Sequence, residues 1–399
     1  MSLRAFEEVV GREYVREIPG ASLDGVPVIA EISPGTPEEV AACLRVAGET
    51  AQPLVSCGGG SKLSVGNRSS ARDLARLSVA RLLEPLDLQP EEGIATAAAG
   101  VPLSRVRENA SSVRARILLD DPSPGATVGG SVAADAFSAG LRADRRPRNE
   151  LLGIQVALPC GTLARAGGRV VKNVTGFDLV RLHCGAYGTL GVITELTFRL
   201  RPLPEAQRAL VRQLRSSGEA FSLAGELRES GVEPDGVMVH SSHGVAELLW
   251  RLEGSGEDVR ERASRFEGEG VEPGVWPNVE ELLVTAPRDG HARVRMLGRA
   301  SDTGSLWRWL DENGVPVLAL PLVGIVIGDL EERRAAAAVR QAREAGMTIV
   351  VERASSGLKA RLETFGLDPG VRGLMQRLKL RFDPQGVLAP GRLLSEAMA

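Results

Sequence analysis

Three consecutive glycines follow a short apolar run in Pro53-Leu54-Val55-Ser56-Cys57-Gly58-Gly59-Gly60-Ser61-Lys62-Leu63, and a hydroxyl and a lysine come directly after them. No other stretch limits the possible folds as much. Bare glycine backbone tolerates positive φ and lets successive N–H groups converge on an anion such as a diphosphate. The other reading of the same residues is an ordinary glycine-rich turn. The flanking pattern favours a ligand loop. Val28 to Ile32 alternates as a strand. Thr36-Pro37-Glu38-Glu39 then combines an N-cap, a proline at the first helical position and a capping-box glutamate. Val40, Leu44 and Ala47 share one helical face, and Leu54-Val55 forms the next strand. The glycines therefore sit at the carboxyl end of a strand–helix–strand unit, where open α/β sheets bind ligands.

A second loop of this type runs from Asp121 through Pro122-Ser123-Pro124-Gly125-Ala126-Thr127-Val128-Gly129-Gly130-Ser131 into a small-residue helix. It lies downstream of a strand at Ile94–Ala99 and a helix opened by Val101-Pro102-Leu103. It reads either as a phosphate- or ring-contacting loop or as a tight helix entry packed on a sheet. Residues 140–150 are strongly charged and read as an exposed loop. Leu152–Leu158 returns to strand, and Pro159-Cys160-Gly161-Thr162 reads as a hairpin turn. The densest segment, Gly167 to Leu179, leads through Leu182-His183-Cys184-Gly185-Ala186-Tyr187-Gly188-Thr189-Leu190-Gly191-Val192-Ile193-Thr194 into the strand Glu195 to Leu200. Gly188 and Gly191 bracket a turn whose amides could face a planar ligand.

Arg201-Pro202-Leu203-Pro204 ends this block and marks a domain boundary. Beyond it, helical stretches at Phe221–Ser230 and Glu257–Glu267 alternate with strands at Gly236–His240, Glu247–Leu252, Val294–Leu297 and Val317–Leu320. Leu322–Ile327 reads as a further strand, Glu331–Glu344 as a helix and Thr348–Val351 as a strand, which together suggest a small α+β domain. A helix beginning near Leu374 precedes a turn-rich tail. The expected organisation is thus residues 1–204, 205–370 and 371–399. A chain of 399 residues fits more than one core.

Composition excludes several classes. The net charge of −3 with interspersed signs recommends neither a nucleic-acid nor an anionic-membrane partner. No apolar run reaches transmembrane length, and the start Met1-Ser2-Leu3-Arg4-Ala5-Phe6-Glu7-Glu8 is too polar for a signal peptide, so a cytoplasmic setting is expected. The four cysteines, Cys43, Cys57, Cys160 and Cys184, lack the spacing of a zinc site, an iron–sulfur cluster or a disulfide scaffold. A nucleotide-hydrolase loop needs Gly-x-x-x-x-Gly-Lys-Ser/Thr, whereas Lys62 follows Ser61 and precedes Leu63. The dinucleotide fingerprint of a Rossmann fold fails for want of a correctly spaced third glycine, and no Gly-x-Ser-x-Gly elbow is present. Of the four histidines, His240 and His243 could form a metal pair but read more simply as a solvated loop. His183 reads as a packing residue or as a catalytic one.

Taken in order, Gly58-Gly59-Gly60-Ser61-Lys62-Leu63, Ala126-Thr127-Val128-Gly129-Gly130, Gly168-Arg169-Val170-Val171-Lys172-Asn173-Val174-Thr175-Gly176-Phe177-Asp178-Leu179, Tyr187-Gly188-Thr189-Leu190-Gly191-Val192-Ile193-Thr194, Phe382-Asp383-Pro384-Gln385-Gly386-Val387-Leu388 and Pro390-Gly391-Arg392 resemble the FAD-linked oxidases of the vanillyl-alcohol oxidase (PCMH-type) superfamily. Within it they are similar to the FAD-binding subunits of bacterial glycolate oxidases. The likeness covers residues 26–204 and the tail and is weak between them. It implies an α+β fold: a PCMH-type FAD-binding domain of two α/β subdomains, a smaller α+β cap domain, and a C-terminal segment returning to the FAD domain. It further implies that the FAD diphosphate lies on the amides of Gly58, Gly59, Gly60, Ser61 and Lys62. Thr127, Gly129, Gly130 and Ser131 would close over the diphosphate and part of the isoalloxazine, and Gly188, Gly191, Val192 and Ile193 would supply backbone contacts.

Three departures qualify what the resemblance implies. Asp135 stands where the family commonly has asparagine, and Arg148-Asn149 is the nearest equivalent of an Arg-Asp pair. Relatives that oxidise D-2-hydroxy acids carry a His-x-x-Gly-Asp-Gly-Asn-x-His cluster in the cap, suited to a divalent metal; here Gly328-Asp329 has no flanking histidines. No metal site is therefore expected. No histidine in the glycine loop could tether flavin, so FAD is expected to be non-covalent. The resulting expectation is a redox flavoprotein subunit of a glycolate (2-hydroxy acid) oxidase complex. Its partners would be a paralogous catalytic FAD subunit and an iron–sulfur subunit, and it would meet the membrane only through them. The alternatives are a self-sufficient 2-hydroxy-acid dehydrogenase using Lys172, Asn173 or arginines, a structural subunit without flavin, and a phosphate-binding module for another nucleotide.

Overall fold

The computed structural model describes residues 3–138, 140, 146–168, 178–242, 245–266, 268–270 and 275–395. The chain divides into two compact units, residues 1–136, 147–202 and 367–399 in the first and residues 137–146 and 203–366 in the second.

The first unit holds two five-stranded sheets and a two-stranded pairing of Arg201–Pro202 with Ala115–Arg116. In one of the larger sheets, the strand expected over Val28–Ile32 occupies Val26–Ile32 and alternates between buried and more exposed side chains. It does not pair directly with Leu54–Cys57. Leu74–Ser78 lies between them, parallel to both. Val15–Glu17 and Ser22–Leu23 add antiparallel edges. The connecting helix Pro37–Glu49 starts as its residues dictate: the Thr36 hydroxyl accepts from the Glu39 amide at 3.1 Å. Glu39 accepts from the amide of Gly35 at 2.6 Å, one residue earlier than a capping box predicts. Val40, Leu44 and Ala47 are fully buried beneath it. The other sheet is antiparallel throughout, in the order Leu163–Gly167, Leu151–Ala157, Val192–Arg199, Ile94–Ala98 and Leu86–Gln89. One apolar core joins the two sheets, with Leu44, Leu54 and Leu77 in the same cluster as Val106, Val128 and Leu196.

The stretch 140–150 departs from the exposed loop expected of it. Residues 141–145 lie outside the described residues, but Pro147–Glu150 is a short helix and Glu150 is buried. A desolvated carboxylate needs a partner. Arg201 supplies one, donating to both oxygens of Glu150 at 2.9 and 3.0 Å.

The tail returns to the first unit. Helix Pro369–Phe382 is capped by Asp368, which accepts from the amides of Gly370 and Val371. After it, Leu388 bridges Leu54 in parallel: the Leu54 amide donates to Val387 and the Ala389 amide to Leu54, both at 2.7 Å. Asp383, 1% exposed, organises this return. It accepts from the amides of Val387 at 3.1 Å and Leu388 at 2.8 Å and from Lys379 Nζ at 2.5 Å. Lys379 also donates to the carbonyls of Leu388 and Thr189, at 2.6 and 2.9 Å.

The second unit is an eight-stranded antiparallel sheet with helices including Ser217–Glu229, Thr303–Asn313 and Glu332–Glu344. Its long strand Ala206–Leu214 carries arginine or glutamine at all four of its exposed positions, Gln207, Arg208, Arg212 and Gln213, which masked it in the sequence. The strand expected from Leu322 begins at Ile325, because Leu320–Gly324 forms a turn in which the Val323 and Gly324 amides donate to Leu320. His240 is not in a solvated loop: it lies buried in the strand Gly236–Ser242, with Nε2 2.9 Å from Glu247 on the neighbouring strand. His243 lies outside the described residues. Asp329 pairs with Arg293.

Asp383→Ala takes the carboxylate from Lys379 and leaves the buried amides of Val387 and Leu388 without their acceptor, and should lower unfolding free energy by about 3 kcal/mol. Urea titration is expected to show an earlier midpoint with an unchanged slope; an unchanged midpoint would remove the tail from the folded core.

Candidate cofactor-binding site

Three loops of the first unit surround one open cleft of ≈ 740 Å³. The glycine loop leaves the strand Leu54–Cys57, the second loop enters the short helix Val128–Ala133, and the third joins helix Leu179–His183 to the strand Val192–Arg199. The cleft wall includes Gly58, Gly59, Gly60, Ser61, Lys62, Thr127, Gly129, Gly130, Gly188, Gly191, Val192 and Ile193. Ser131 alone among the sequence-derived residues is not on this wall. It is fully buried, and its hydroxyl donates to Asp121 Oδ2 at 2.5 Å.

Close backbone approach explains why side chains are missing here. A Cβ on Gly59 would run into the carbonyl oxygen of Gly125, and one on Gly58 into the Thr127 hydroxyl. The first two loops thus touch through bare backbone. The amides of Gly58, Gly59 and Ser61 have no acceptor among the described residues, while the Gly60 amide faces the Cys57 thiol. Such amides, lining a cleft, make an anion-binding nest. Thr127 caps the helix by accepting from the Gly130 amide at 3.3 Å. In the third loop, the amides of Gly185 and Tyr187 donate to Val132 and Ala133 at 3.0 and 2.8 Å, fastening it to the end of that helix.

The charges lie behind the nest. Lys62 Nζ contacts Asp121 Oδ2 and lies 3.1 and 3.2 Å from the hydroxyls of Ser61 and Ser123. Asp121 is 2% exposed. Burial alone would push its carboxyl up, but the Lys62 ammonium, with hydrogen bonds from Lys62, Ser131 and the Ser123 amide, holds it below the ordinary value of 3.8. Arg392, buried at 6% exposure, donates through Nη2 to the carbonyls of Lys62 and Leu63 at 2.9 and 2.8 Å. Its own carbonyl accepts from the Asn67 amide at 2.8 Å. The sequence held both residues in view as parts of motifs; what it could not show was that they converge on one loop from positions far apart in the chain. His183 and Tyr187 also reach the wall. Burial pulls His183 down to about 4, so its imidazole is neutral at physiological pH. Asp135, which stands where the family commonly has asparagine, accepts from Cys184 Sγ at 3.4 Å. Lys172 and Asn173 lie outside the described residues.

The residues present fit a non-covalently held dinucleotide: free amides for a diphosphate, small residues that let planar rings approach, and positive charge set back from the surface. Asp121→Asn should remove the partner of Lys62 and cost about 2–3 kcal/mol at neutral pH. Since the folded carboxyl titrates below its ordinary value, this stabilisation is fully present above pH 3.8 and is lost as pH falls through the folded value. Unfolding of wild type and variant across pH should therefore converge at strongly acid pH and separate above it; a gap independent of pH would rule out the ion pair as its source.

Comparison with known proteins agrees with this geometry. Residues 28–167 match the FAD binding domain family. The chain is 31% identical over 358 residues to the glycolate oxidase subunit GlcE of Escherichia coli, covering 86% of this chain and 93% of that protein. It is 32% identical to the glycolate oxidase subunit GlcD of Bacillus subtilis and 35% identical to a D-lactate dehydrogenase of Archaeoglobus fulgidus, but spans only 39% and 38% of their lengths. Its fold superposes on p-cresol methylhydroxylase with a TM-score of 0.74 at 16% identity, over 98% of this chain and 95% of that one. Among the described residues no helix is long and apolar enough to cross a membrane. The chain belongs to the PCMH-type FAD-linked oxidoreductases, in the family of the glycolate oxidase subunit GlcE.

Proposed function

We propose that this chain carries a non-covalent FAD with its diphosphate on the amides of Gly58, Gly59 and Ser61, and that the flavin takes electrons originating in a small 2-hydroxy acid. The observation that carries this reading is the nest of unpaired amides at the carboxyl end of Leu54–Cys57, backed by Lys62 and Arg392. FAD supplies the two-electron acceptor. The chain's own contribution is to hold it: the glycine loop binds the anion, the second loop closes beside it, and Val192 and Ile193 present backbone at the start of a rigid strand.

Relatives named as D-lactate and D-2-hydroxyglutarate dehydrogenases favour a chain that oxidises its substrate itself. A second reading has a specific observation behind it. The match to GlcE runs along nearly the whole of both chains, which favours a subunit role beside a paralogous catalytic FAD subunit and a separate iron–sulfur subunit. The sequence supplies no histidine cluster of the kind the substrate-oxidising relatives use, which points the same way.

The purified chain should show flavin absorption that is released into solution on denaturation. Anaerobic addition of D-lactate or glycolate distinguishes the two readings. Bleaching within seconds means that the chain is a complete dehydrogenase; flavin that bleaches only after a catalytic partner is added means a subunit. Absence of flavin after incubation with FAD would overturn both.

A further inference from the structure

Helix Leu179–His183 ends with an imidazole that is only 5% exposed. The ring packs edge-on against Phe382, with centroids 5.9 Å apart and planes at 87°. Neither ring nitrogen has a hydrogen-bond partner among the described residues, whereas the His183 carbonyl accepts from the Ala186 amide at 3.3 Å. Leaving a buried polar group unpaired costs about 1–3 kcal/mol, and a phenylalanine would make the same ring contact without that cost. The imidazole is on the wall of the cleft, close in sequence to Tyr187 and Gly188, and its neighbours there include Ala133 and Ala134, which offer no side-chain donor or acceptor. A nearly buried polar ring that has no protein partner and lines a binding cleft is placed to meet a ligand there.

We propose that His183 is a cofactor-binding residue, one of whose ring nitrogens makes a hydrogen bond to a polar atom of the bound flavin nucleotide. The proposal rests on the reading of the cleft as the FAD site. The imidazole contributes a directed hydrogen bond, not charge, so it orients the nucleotide without adding to the positive field of Lys62 and Arg392. Phe382 holds the ring from behind, which fixes the direction in which the nitrogen points.

His183→Phe keeps the ring contact and deletes both nitrogens. The variant should fold normally by near-UV circular dichroism but bind FAD about tenfold more weakly, the size of one hydrogen bond. Its bound-flavin absorption bands should shift, and His183→Asn should recover part of the affinity. A Kd within twofold of wild type with an unshifted spectrum would overturn the proposal. Nitrogen-15 imidazole spectra of the unaltered protein give a test that needs no variant to bind cofactor. With four histidines in the chain, the imidazole resonances missing from the His183→Phe spectrum identify His183. Adding FAD should move one of its nitrogens to the position of a hydrogen-bonded imidazole; FAD that binds without moving it would overturn the proposal. A wild-type chain that takes up no FAD would instead remove the reading on which the proposal rests.

Discussion

Amides left free for a ligand cannot also hold the loop that carries them. The glycine loop resolves this conflict by being tied through a side chain and carbonyls instead of those amides. Lys62 reaches Asp121 in the second loop, and Asp121 is itself held by Ser131 and the Ser123 amide. The carbonyls of Lys62 and Leu63 are taken by Arg392, more than three hundred residues further along the chain. Bare glycine backbone at Gly59 lets the two loops meet without a side chain between them. The nest is thereby set before any ligand arrives, which is the condition under which backbone dipoles bind an anion at little reorganisation cost.

The same tethers decide the electrostatics. Lys62 does not stand in the cleft as a free cation; its charge is largely answered by a buried carboxylate. Arg392 supplies positive potential to the loop while its Nη2 is spent on carbonyls. An anion in the cleft would thus be held by amide geometry first and by set-back charge second. This differs from the lysine-led grip of nucleotide hydrolases, whose spacing the sequence lacks. The tail is essential to the arrangement because it delivers Arg392, and the tail is fixed in turn by Asp383 and by the bridge between Leu388 and Leu54. Redox chemistry supplied by a cofactor and positioning supplied by a rigid cradle is the division of labour expected of a flavoprotein.

Much of this was readable from residues alone, and the reason is local. The capped helix after Thr36, the strand before the glycines and the turn at Pro159–Thr162 depend on neighbours a few positions apart. The glycines of the cleft were equally visible, since no other residue type tolerates such approach. What could not be read depends on distant pairs. Leu74–Ser78 carries a charged residue, Arg76, in its middle and is a strand because Leu54–Cys57 and Val26–Ile32 flank it. Glu150 is buried because Arg201 meets it. Ser131 faces Asp121 and not the cleft, a direction that spacing along a loop does not specify. His183 could have been found by one signal, a polar residue closing an otherwise apolar helix face, but only burial without a partner gives it meaning.

The most direct test of the account is a crystal structure of the purified chain with FAD. The account predicts diphosphate oxygens within hydrogen-bonding distance of the amides of Gly58, Gly59 and Ser61, with Lys62 still on Asp121 and Arg392 still on the loop carbonyls. A diphosphate lying elsewhere, or a Lys62 that leaves Asp121 to grip the phosphate, would contradict it.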